Sequence, residues 1–409
     1  MTNNGTLLDQ VAKSKMDSDI TSKKTNLPFK LEFEKFSNFS SDTTQIDAPD
    51  FDFGQLVKFT IPKSCDLITD MYLQFDLPEL IPVNNLDQSN LGMFDENSYL
   101  SWVDSVGNAL IENVKLKIGE QVIDEQSGEY LNIWNQFYLE KEKKKIYHSM
   151  VGKNDFITND SKNAGTYIIP LNFWFCNNNN FLPIIALQYH SVTLEVKLRQ
   201  FNQLWKSQNV ELNRNIKYSI SNAVLYTENI YLNRKERNDF AQQSYSLLIK
   251  QIQYRTFTIP ESIPDIKLNL DFNHPIIELF WVYQNNNSKK AIFNYFKDPN
   301  DNPTEPIKKC QLKYNGLDRT QELNSEFFRL IEPYKKHTSI PDDYIYNYSF
   351  SRNPEAKTPV GSSNFSRIET PELLVTFDKN IPEGTVKVYA VNLNILEISG
   401  GMARLKYSN

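Results

Sequence analysis

This sequence predicts an all-β protein made of two sandwiches in tandem, and three observations support that prediction. Apolar and polar residues alternate in many short runs, as they do in strands with one buried face. Helical periodicity is sparse, and many short strands with few helices are typical of sandwiches or barrels. The length of 409 residues exceeds the roughly 250–300 residues beyond which a single core stops growing. A charged segment at 234–237 (RKER) leaves about 200 residues on each side.

The strand pattern is clearest in five places. Val192–Leu198 alternates strictly between apolar and polar residues, whereas Ile277–Tyr283 (IELFWVY) is so densely apolar that we expect a strand covered on both faces. A hairpin is predicted where Val114–Ile118 and Gln121–Asp124 meet across the turn at Gly119–Glu120. The remaining predictions are strands at Ile266–Leu270 and Thr385–Ile398 and a turn at Asn315–Gly316.

One apolar stripe at helical spacing interrupts the strands. Its members fall at i, i+3, i+4, i+7 and i+8, which predicts a helix with one face buried. They are Tyr130, Ile133, Trp134, Phe137 and Tyr138. We expect Trp134 to be buried on this stripe, and the charged run Glu140–Lys145 that follows to be the solvated end of the same helix.

A second helix is expected where the two halves join. Arg234–Lys250 begins with charged residues, which suits a surface connection between two domains, and Phe240, Leu247 and Leu248 would face inward. Residues 1–27 lack sustained apolar periodicity and predict an N-terminal arm that is loosely ordered unless a partner holds it.

Composition and charge exclude several classes of protein. The 44 basic and 50 acidic residues give a formal net charge of −6, which disfavours nucleic-acid binding through bulk charge. The N-terminus lacks the apolar core of a signal peptide, and no apolar stretch has the length of a membrane span. Aromatic residues make up 13% of the chain, and such residues favour strands.

No motif points to catalysis or to a bound cofactor. The three cysteines, Cys65, Cys176 and Cys310, form no CxxC pair, and we expect three buried, reduced thiols. Neither a P-loop nor a Gly-x-Ser-x-Gly elbow is present. The four histidines have no metal-ligand spacing, and we expect His190 and His274 to be hydrogen-bonded structural residues rather than ligands or bases. The chain is therefore predicted not to be an enzyme, with no catalytic, cofactor-binding or metal-binding residue.

Six segments in order along the chain resemble the major capsid proteins of the large nucleocytoplasmic DNA viruses, a group that includes iridoviruses and phycodnaviruses. The first contains the core Asp66–Leu73 (DLITDMYL), and the second contains the stretch GNALIENVKLKIGEQVID. Each segment is weak evidence alone, but their joint specificity is high. The six are Phe53–Pro78, Trp102–Trp134, Phe173–His190, Asn273–Trp281, Tyr334–Pro341 with Tyr348–Ile368, and Tyr389–Asn409.

The resemblance implies a double jelly roll, that is, two tandem eight-stranded antiparallel jelly-roll sandwiches with a few short helices in loops. The expected boundaries are an arm at 1–27, a first sandwich at 28–235 and a second at 236–409, connected near Leu232–Ser244. It further implies a homotrimer of pseudo-hexagonal outline that tiles an icosahedral capsid beside neighbouring capsomers. Minor capsid and penton proteins are expected partners, as is an internal membrane layer beneath the shell. The protein would be assembled in the host cytoplasm, would reside in the virion, and would not bind nucleic acid sequence-specifically.

Two other functions remain open at this point. The same fold could serve as a minor capsid protein or as a transient scaffold, which the abundance of the protein in purified particles would distinguish. A jelly-roll carbohydrate-binding protein or hydrolase is the alternative from another class. Clustered carboxylates or a His-x-His pair would favour that class, and neither is visible in the sequence.

Overall fold

The structure is a computed structural model, and it describes residues 37–49, 51–83, 99–153, 163–176, 180–286, 292–297 and 304–408. The predicted N-terminal arm at 1–27 lies outside the described residues. The described chain forms two antiparallel β-sandwiches, each with two facing sheets, joined by short helices and turns.

The strands of the first sandwich all come from the first half of the chain. One sheet has the order β1-β11-β3-β7, and the sheet that faces it has the order β2-β9-β5-β6. A short strand, β8, pairs with the start of β3. Strands β4 and β10 pair with each other apart from both sheets. The bounds are β1 Phe39–Asp47, β2 Leu56–Ile61, β3 Leu67–Leu77, β4 Tyr99–Trp102, β5 Ile111–Ile118, β6 Gln121–Ser127, β7 Gly165–Pro170, β8 Leu182–Pro183, β9 Val192–Leu198, β10 Trp205–Gln208 and β11 Asn222–Leu232.

The second sandwich repeats this plan with strands from the second half. Its sheets have the orders β12-β21-β14-β18 and β13-β20-β15-β16, with β19, β22 and β17 as short additions to β14, β21 and β15. The bounds are β12 Tyr245–Ile259, β13 Asp265–Asn269, β14 Pro275–Asn285, β15 Ile307–Tyr314, β16 Leu317–Asp318, β17 Leu323–Asn324, β18 Tyr346–Ser349, β19 Ser363–Asn364, β20 Pro371–Phe377, β21 Gly384–Ser399 and β22 Met402–Leu405. Each sandwich thus has four strands along the hydrogen-bonded path of each sheet, which confirms the predicted fold class.

The helices are short and lie between strands. None of those in the described residues is long and apolar enough to cross a membrane. The α-helices are α1 Val106–Leu110, α2 Gly128–Tyr138, α3 Lys141–Val151, α4 Arg234–Gln242 and α5 Glu332–Lys336. Single turns of 3₁₀-helix lie at Ile184–Ala186, Phe201–Gln203 and Phe365–Arg367, and a π-helical turn lies at Phe327–Ile331.

The strand predictions agree with the structure. Two turns show why the hairpins close where the sequence places them. Ile118 pairs with Gln121 across Gly119, whose φ is +62°. Asn315 and Gly316 both have positive φ between Tyr314 and Leu317, which is the conformation that a two-residue hairpin turn of type I′ requires.

The predicted helix at Arg234–Lys250 is wrong in its second half. The helix starts at an Asn233 cap, whose side chain accepts hydrogen bonds from Lys235 N and Glu236 N at 3.0 Å, but it ends at Gln242. From Tyr245 the chain is β12, which pairs with β21 along all fifteen of its residues. This long ladder outweighs the weak local helical pattern, and Leu248, predicted to face inward, is 44% exposed.

The charged run Glu140–Lys145 is also misassigned. We expected it to be the solvated end of the stripe helix, but α2 ends at Tyr138. Leu139 and Glu140 have extended backbone, and most of the run forms the first turn of a separate helix, α3. The run is therefore the start of a helix rather than the end of one.

The first hydrophobic core contains residues from both halves of the chain. The first core includes residues from both sheets of the first sandwich, but it also takes in Ile249, Leu396 and Ile398 from β12 and β21. The second core lies between the two sheets of the second sandwich. Residues Phe39–Asn409 form one compact unit, because residues of β12 and β21 from the second sandwich help to complete the first core.

Candidate functional site: the junction between the two sandwiches

A helix from the first half of the chain covers the outer face of a sheet in the second half. Helix α2 begins after Ser127, whose hydroxyl accepts a hydrogen bond from Tyr130 N at 3.1 Å. Its apolar stripe packs against β14 and β21, with the Phe137 and Phe280 rings 4.9 Å apart. The residues that meet here are Tyr130, Ile133, Phe137, Ile277, Phe280, Val282, Tyr389 and Val391. We call this region, with the polar groups around it, the junction.

This packing explains the predicted strand covered on both faces. The second core covers one face of β14 and α2 covers the other, so that every residue from Ile276 to Tyr283 is buried. The stripe itself is only partly buried. Tyr130, Ile133 and Phe137 are buried, but Trp134 and Tyr138 are half-buried and stack on each other with centroids 4.7 Å apart. The expectation that Trp134 is buried on the stripe is therefore wrong in part, because the ring lines a cavity beside the helix and stays half-exposed.

A carboxylate lies at the junction next to a β-bulge. The pairing of β14 with β21 shifts register between Ile276 and Glu278, and such a bulge re-aims the side chains around it. Ile277 and Glu278 both contact junction residues as a result. The Glu278 side chain is fully buried and accepts a short hydrogen bond from the Tyr138 hydroxyl.

His337 bridges two glutamates in this buried region. Its Nε2 lies 3.2 Å from Glu278 Oε2 and its Nδ1 lies 3.3 Å from Glu355 Oε1. Thr338 holds Glu355 from the other side, its backbone N donating at 2.7 Å and its hydroxyl at 2.6 Å. Burial alone would lower the pKa of His337, but the hydrogen bonds and charges of the two glutamates outweigh it and raise that pKa to about 9. The imidazole is therefore a buried cation at neutral pH.

The edge strands of two sheets also meet at the junction. β6 is at the end of one sheet of the first sandwich, and β12 is at the end of one sheet of the second. Asp124 on β6 accepts hydrogen bonds from Ile252 N at 3.0 Å and Gln126 Nε2 at 2.8 Å, while the Gln251 amide donates to Ile123 O. Burial raises the pKa of Asp124 to about 7 despite these hydrogen bonds. These hydrogen bonds cover part of each edge, so that part is not available for unwanted pairing.

A further ion pair lies at the opposite end of α2. Lys387 Nζ is 2.5 Å from Glu129 Oε2, and the Tyr389 hydroxyl donates to the same oxygen at 2.9 Å. Glu129 is buried at the first turn of the helix, where a negative charge is favoured by the helix dipole. The two sandwiches are thus joined by apolar packing with a buried charge at each end, which holds them in one relative orientation.

Two histidines singled out in the sequence are held by hydrogen bonds. His190 Nδ1 accepts a hydrogen bond from Ala403 N at 3.2 Å, and the backbone of His274 is held by Ser366 and Phe365. His337 was not singled out in the sequence. The signal that could have identified its site is Glu278, a charged residue within a strand predicted to be buried on both faces.

The cysteines and possible metal ligands form no reactive centre in the described residues. Cys65 and Cys310 are buried and Cys176 is half-buried, and all three are free thiols. Burial raises the pKa of Cys65 to about 11 and raises those of Cys176 and Cys310 further, which disfavours the reactive thiolate. Among the same described residues, no group of three or more histidine, cysteine or acidic side chains could hold a metal ion.

Comparison with known proteins agrees with this architecture. The family model described as "Major capsid protein N-terminus" matches residues 28–233, and the one described as "Large eukaryotic DNA virus major capsid protein" matches residues 236–404. The chain belongs to the family of large eukaryotic DNA virus major capsid proteins. It is a viral capsid protein with a structural role, and the resemblance seen in the sequence is confirmed.

Individual relatives of this capsid protein cover its whole length. The major capsid protein of Pyramimonas orientalis virus is 30% identical, over 99% of this chain and 100% of its own. That of Phaeocystis pouchetii virus is 29% identical with the same coverage. Among solved structures, the quasi-atomic model of the PBCV-1 virus capsid covers 93% of this chain and 100% of its own at 22% identity, with a TM-score of 0.77. The Faustovirus major capsid protein covers 96% of both chains at 11% identity, with a TM-score of 0.74; both likenesses concern the fold.

Proposed function

We propose that this capsid protein assembles into homotrimers of pseudo-hexagonal outline that tile an icosahedral capsid. The observation that carries the proposal is the junction, because it fixes two similar sandwiches in one orientation within each chain. Three chains around an axis would then present six sandwiches, so that a trimer could occupy a hexagonal position. A flexible link between the sandwiches would not favour such a regular outline.

The mass of the purified protein in solution tests the trimer. Light scattering on the full chain should give three times the chain mass of 47.7 kDa. A protein that stays monomeric at high concentration would contradict the proposal. Particles reconstituted from the trimer, viewed by electron microscopy, would then show whether the trimers tile a closed shell.

The division of the chain is part of the same proposal: an arm at 1–27, a first sandwich at 28–235 and a second at 236–409. The ranges that the two family models match support it, as does the pairing of strands within each half. Removal of residues 1–27 should leave the trimer folded and impair its assembly into shells. A truncated chain that no longer folds would contradict this role for the arm.

The proposed partners are other copies of the chain and neighbouring capsomers, together with minor capsid and penton proteins and an internal membrane layer beneath the shell. Assembly in the host cytoplasm belongs to the same proposal. The role would be purely structural, without catalysis, cofactor or metal. The net charge of −6 supports the further proposal that the protein does not bind nucleic acid sequence-specifically.

A minor capsid or scaffold role is the alternative that one observation favours. Two relatives from a single virus, Acanthamoeba polyphaga mimivirus, are named "Capsid protein 1" and "Probable capsid protein 4", so one virus can encode several proteins of this kind. Quantitative mass spectrometry of purified particles distinguishes the roles. The major protein should exceed every other shell protein in copy number, and a trace amount would favour the alternative.

A further inference from the structure

Each sandwich carries a helical segment at the same point in its order of strands. In the first sandwich α2 follows β6 and precedes β7, and in the second the π-helical turn and α5 follow β17 and precede β18. The sheets also correspond, since β1-β11-β3-β7 has the same arrangement as β12-β21-β14-β18. The outer face of β1, β11 and β3 is therefore the counterpart of the face that α2 covers on the second sandwich.

The segment Phe327–Lys336 repeats the apolar spacing of α2. The α2 stripe falls at i, i+3, i+4, i+7 and i+8 from Tyr130. Counted from Phe327, the same five positions hold four apolar or aromatic residues and a final lysine. They are Phe327, Leu330, Ile331, Tyr334 and Lys335. We call these five residues the second stripe.

Most of the second stripe is exposed, whereas most of the α2 stripe is buried. Leu330 is 37% exposed, Ile331 is 43% exposed and Tyr334 is 77% exposed. The opposite side of the segment is anchored, because the ring centroid of the buried Phe328 lies 5.3 Å from that of Trp281. An exposed group of large apolar side chains on a fixed segment is typical of an interaction surface.

The corresponding sheet face of the first sandwich carries polar and aromatic residues that solvent reaches. Met71, Leu73 and Leu225 point into the first core, so the residues that alternate with them point outward. The strand register aligns six outward residues in two rows, which we call the outer rows. They are Thr43, Glu228 and Asp70 in one row, and Gln45, Tyr226 and Tyr72 in the other. The two on β1 are exposed and the other four are half-buried.

A β-bulge at the same place aligns the two sheets residue by residue. The pairing of β3 with β11 skips one residue of β3 between Ile68 and Asp70. The pairing of β14 with β21 skips one residue of β14 between Ile276 and Glu278. Asp70 therefore corresponds to Glu278, and both are acidic residues that directly follow the bulge.

The last residue of each stripe is suited to an acidic partner. Tyr138 ends the α2 stripe, and its hydroxyl donates to Glu278. Lys335 ends the second stripe and is exposed. A second stripe packed on a sheet in the manner of α2 would bring Lys335 to the acidic residue after the bulge. In the first sandwich that residue is Asp70.

The outer rows are acidic and would be stabilised by a cation. Asp70 and Glu228 lie directly opposite each other on neighbouring strands, where like charges are destabilising. Burial, with the hydrogen bond and the charge of Glu228, raises the pKa of Asp70 to about 7. The outer rows contain no basic residue, so a lysine from another copy would relieve the repulsion between the two carboxyl groups.

We propose that the second stripe of one copy of the chain packs on the outer rows of the next copy, with Lys335 beside Asp70 and Glu228. Such a contact joins different surfaces of the two copies, and a heterologous contact closes into a ring when its rotation allows. Three chains would then alternate the junction with this contact, so that all six sandwiches meet their neighbours through a helix on a sheet. The inference rests on the proposed trimer and names the surfaces that hold it together.

A substitution within the second stripe tests the contact in the full-length protein. Ile331→Asp would place a carboxylate in the interface, and it should raise the concentration at which the trimer dissociates by about tenfold or more. Leu317→Asp is the matched control, since Leu317 is 75% exposed on the same sandwich but lies outside the second stripe. The control should leave that concentration unchanged. Sedimentation velocity measures the dissociation, and circular dichroism checks that both variants are folded.

The outcomes separate this inference from the trimer itself. A wild-type chain that stays monomeric would overturn both. A wild-type trimer that Ile331→Asp leaves as stable as before would overturn the inference alone, as would equal dissociation of the two variants. Intact Ile331→Asp trimers that no longer form shells would also overturn it, and would place the second stripe at a contact outside the trimer.

Cross-linking identifies the two surfaces that meet. A chain with both Lys335→Cys and Thr43→Cys, treated with a short bismaleimide, should give covalent trimers on a denaturing gel, because Thr43 lies in the same row as Asp70. The two single variants and the wild type, treated in the same way, are the controls and account for the native cysteines. Absence of covalent trimers in the double variant would contradict the proposal. Covalent dimers from Lys335→Cys alone would also contradict it, since two second stripes would then face each other.

Discussion

The two faces of β14 meet different environments although both are buried. One face, with Leu279, Trp281 and Tyr283, lies in the dry core of the second sandwich. The other, with Glu278 and Phe280, meets α2 and a buried histidine. The two faces therefore contribute differently. Burial of apolar side chains on the core face stabilises the folded protein, whereas the paired charges on the junction face favour one relative orientation of the two sandwiches.

This difference rests on the asymmetry of buried charge. A buried ion pair adds little net stability, because desolvation offsets the attraction, but a buried charge without its partner is strongly destabilising. Sandwiches docked in another orientation would separate Tyr138 from Glu278 and Glu129 from Lys387. The buried charges therefore destabilise the wrong orientations by more than they stabilise the right one.

Trp281→Ala tests the core face and should have the largest effect. The side chain is fully buried against Phe328 and Tyr346, and its removal should lower the free energy of unfolding by about 3–5 kcal/mol. Urea denaturation followed by far-UV circular dichroism measures the change. A loss below about 1 kcal/mol would show that this core is not packed as described.

Glu278→Ala tests the junction face and should cost about 3 kcal/mol, because His337 would keep its charge with one partner gone. The same urea titration measures it. Lys309→Ala is the matched control, since it breaks an exposed pair with Glu322 and should cost less than about 1 kcal/mol. Similar losses in the two variants would mean that the buried pair has no special role.

The pH dependence should distinguish a junction carboxyl from a surface carboxyl. Asp124 has a folded-state pKa of about 7 against 3.8 when free, so the folded state holds a proton that the unfolded state releases. Stability from this group is full below about pH 4 and is lost as the pH rises to 7. Asp124→Asn should remove the decrease in stability between about pH 4 and 7 that Asp124 causes. Urea denaturation midpoints measured between pH 4 and 8 would show this.

Asp378 provides the opposite sign as a control for that experiment. Hydrogen bonds from Lys308 and Lys297 lower the pKa of Asp378 to about 2. Its contribution is present above the free pKa of 3.8 and is lost as the pH falls through 2, so Asp378→Asn should alter the profile only at the acid end. Parallel profiles for wild type and Asp124→Asn across pH 4 to 7 would contradict the prediction for Asp124.

Trp134→Ala should have the smallest effect of the junction variants. The ring is half-buried at the cavity, so about 1–2 kcal/mol is expected rather than the loss of a fully buried tryptophan. Differential scanning calorimetry beside Trp281→Ala gives the comparison. A cost equal to that of Trp281→Ala would show that the ring is packed into the junction rather than left at the cavity wall.

Local pattern predicted most of the fold. The strands at Val192–Leu198 and Thr385–Ile398 and the Asn315–Gly316 turn follow from side-chain alternation and from the φ angles that glycine and asparagine tolerate. The helix at Arg234–Lys250 failed because its second half, from Tyr245, gains a full ladder with β21. Such a partner is distant in sequence, so no local window contains the information.

The candidate site was less predictable than the fold. The spacing of the α2 stripe indicated a buried face but not what covers it. Glu278, His337 and Glu355 come from three separate segments of the chain. These three residues meet when the second sandwich folds, and helix α2 of the first sandwich then packs Phe137 and Tyr138 against His337. Spacing in the sequence carries no record of either step.

The sequence by itself determined the class of fold, the number of sandwiches, the strand register at the main turns and the family. The fold class and the register depend on period-two burial and on the backbone preferences of neighbouring residues, which are local. The number of sandwiches follows from the chain length, and the family from the resemblance of six segments. Tertiary structure alone decided where β12 begins, that helix α2 buries Glu278, that His337 is a buried cation, and that Trp134 lines a cavity. Each of these depends on hydrogen bonding, desolvation or charge pairing between segments that are distant in the chain and meet only in the folded protein.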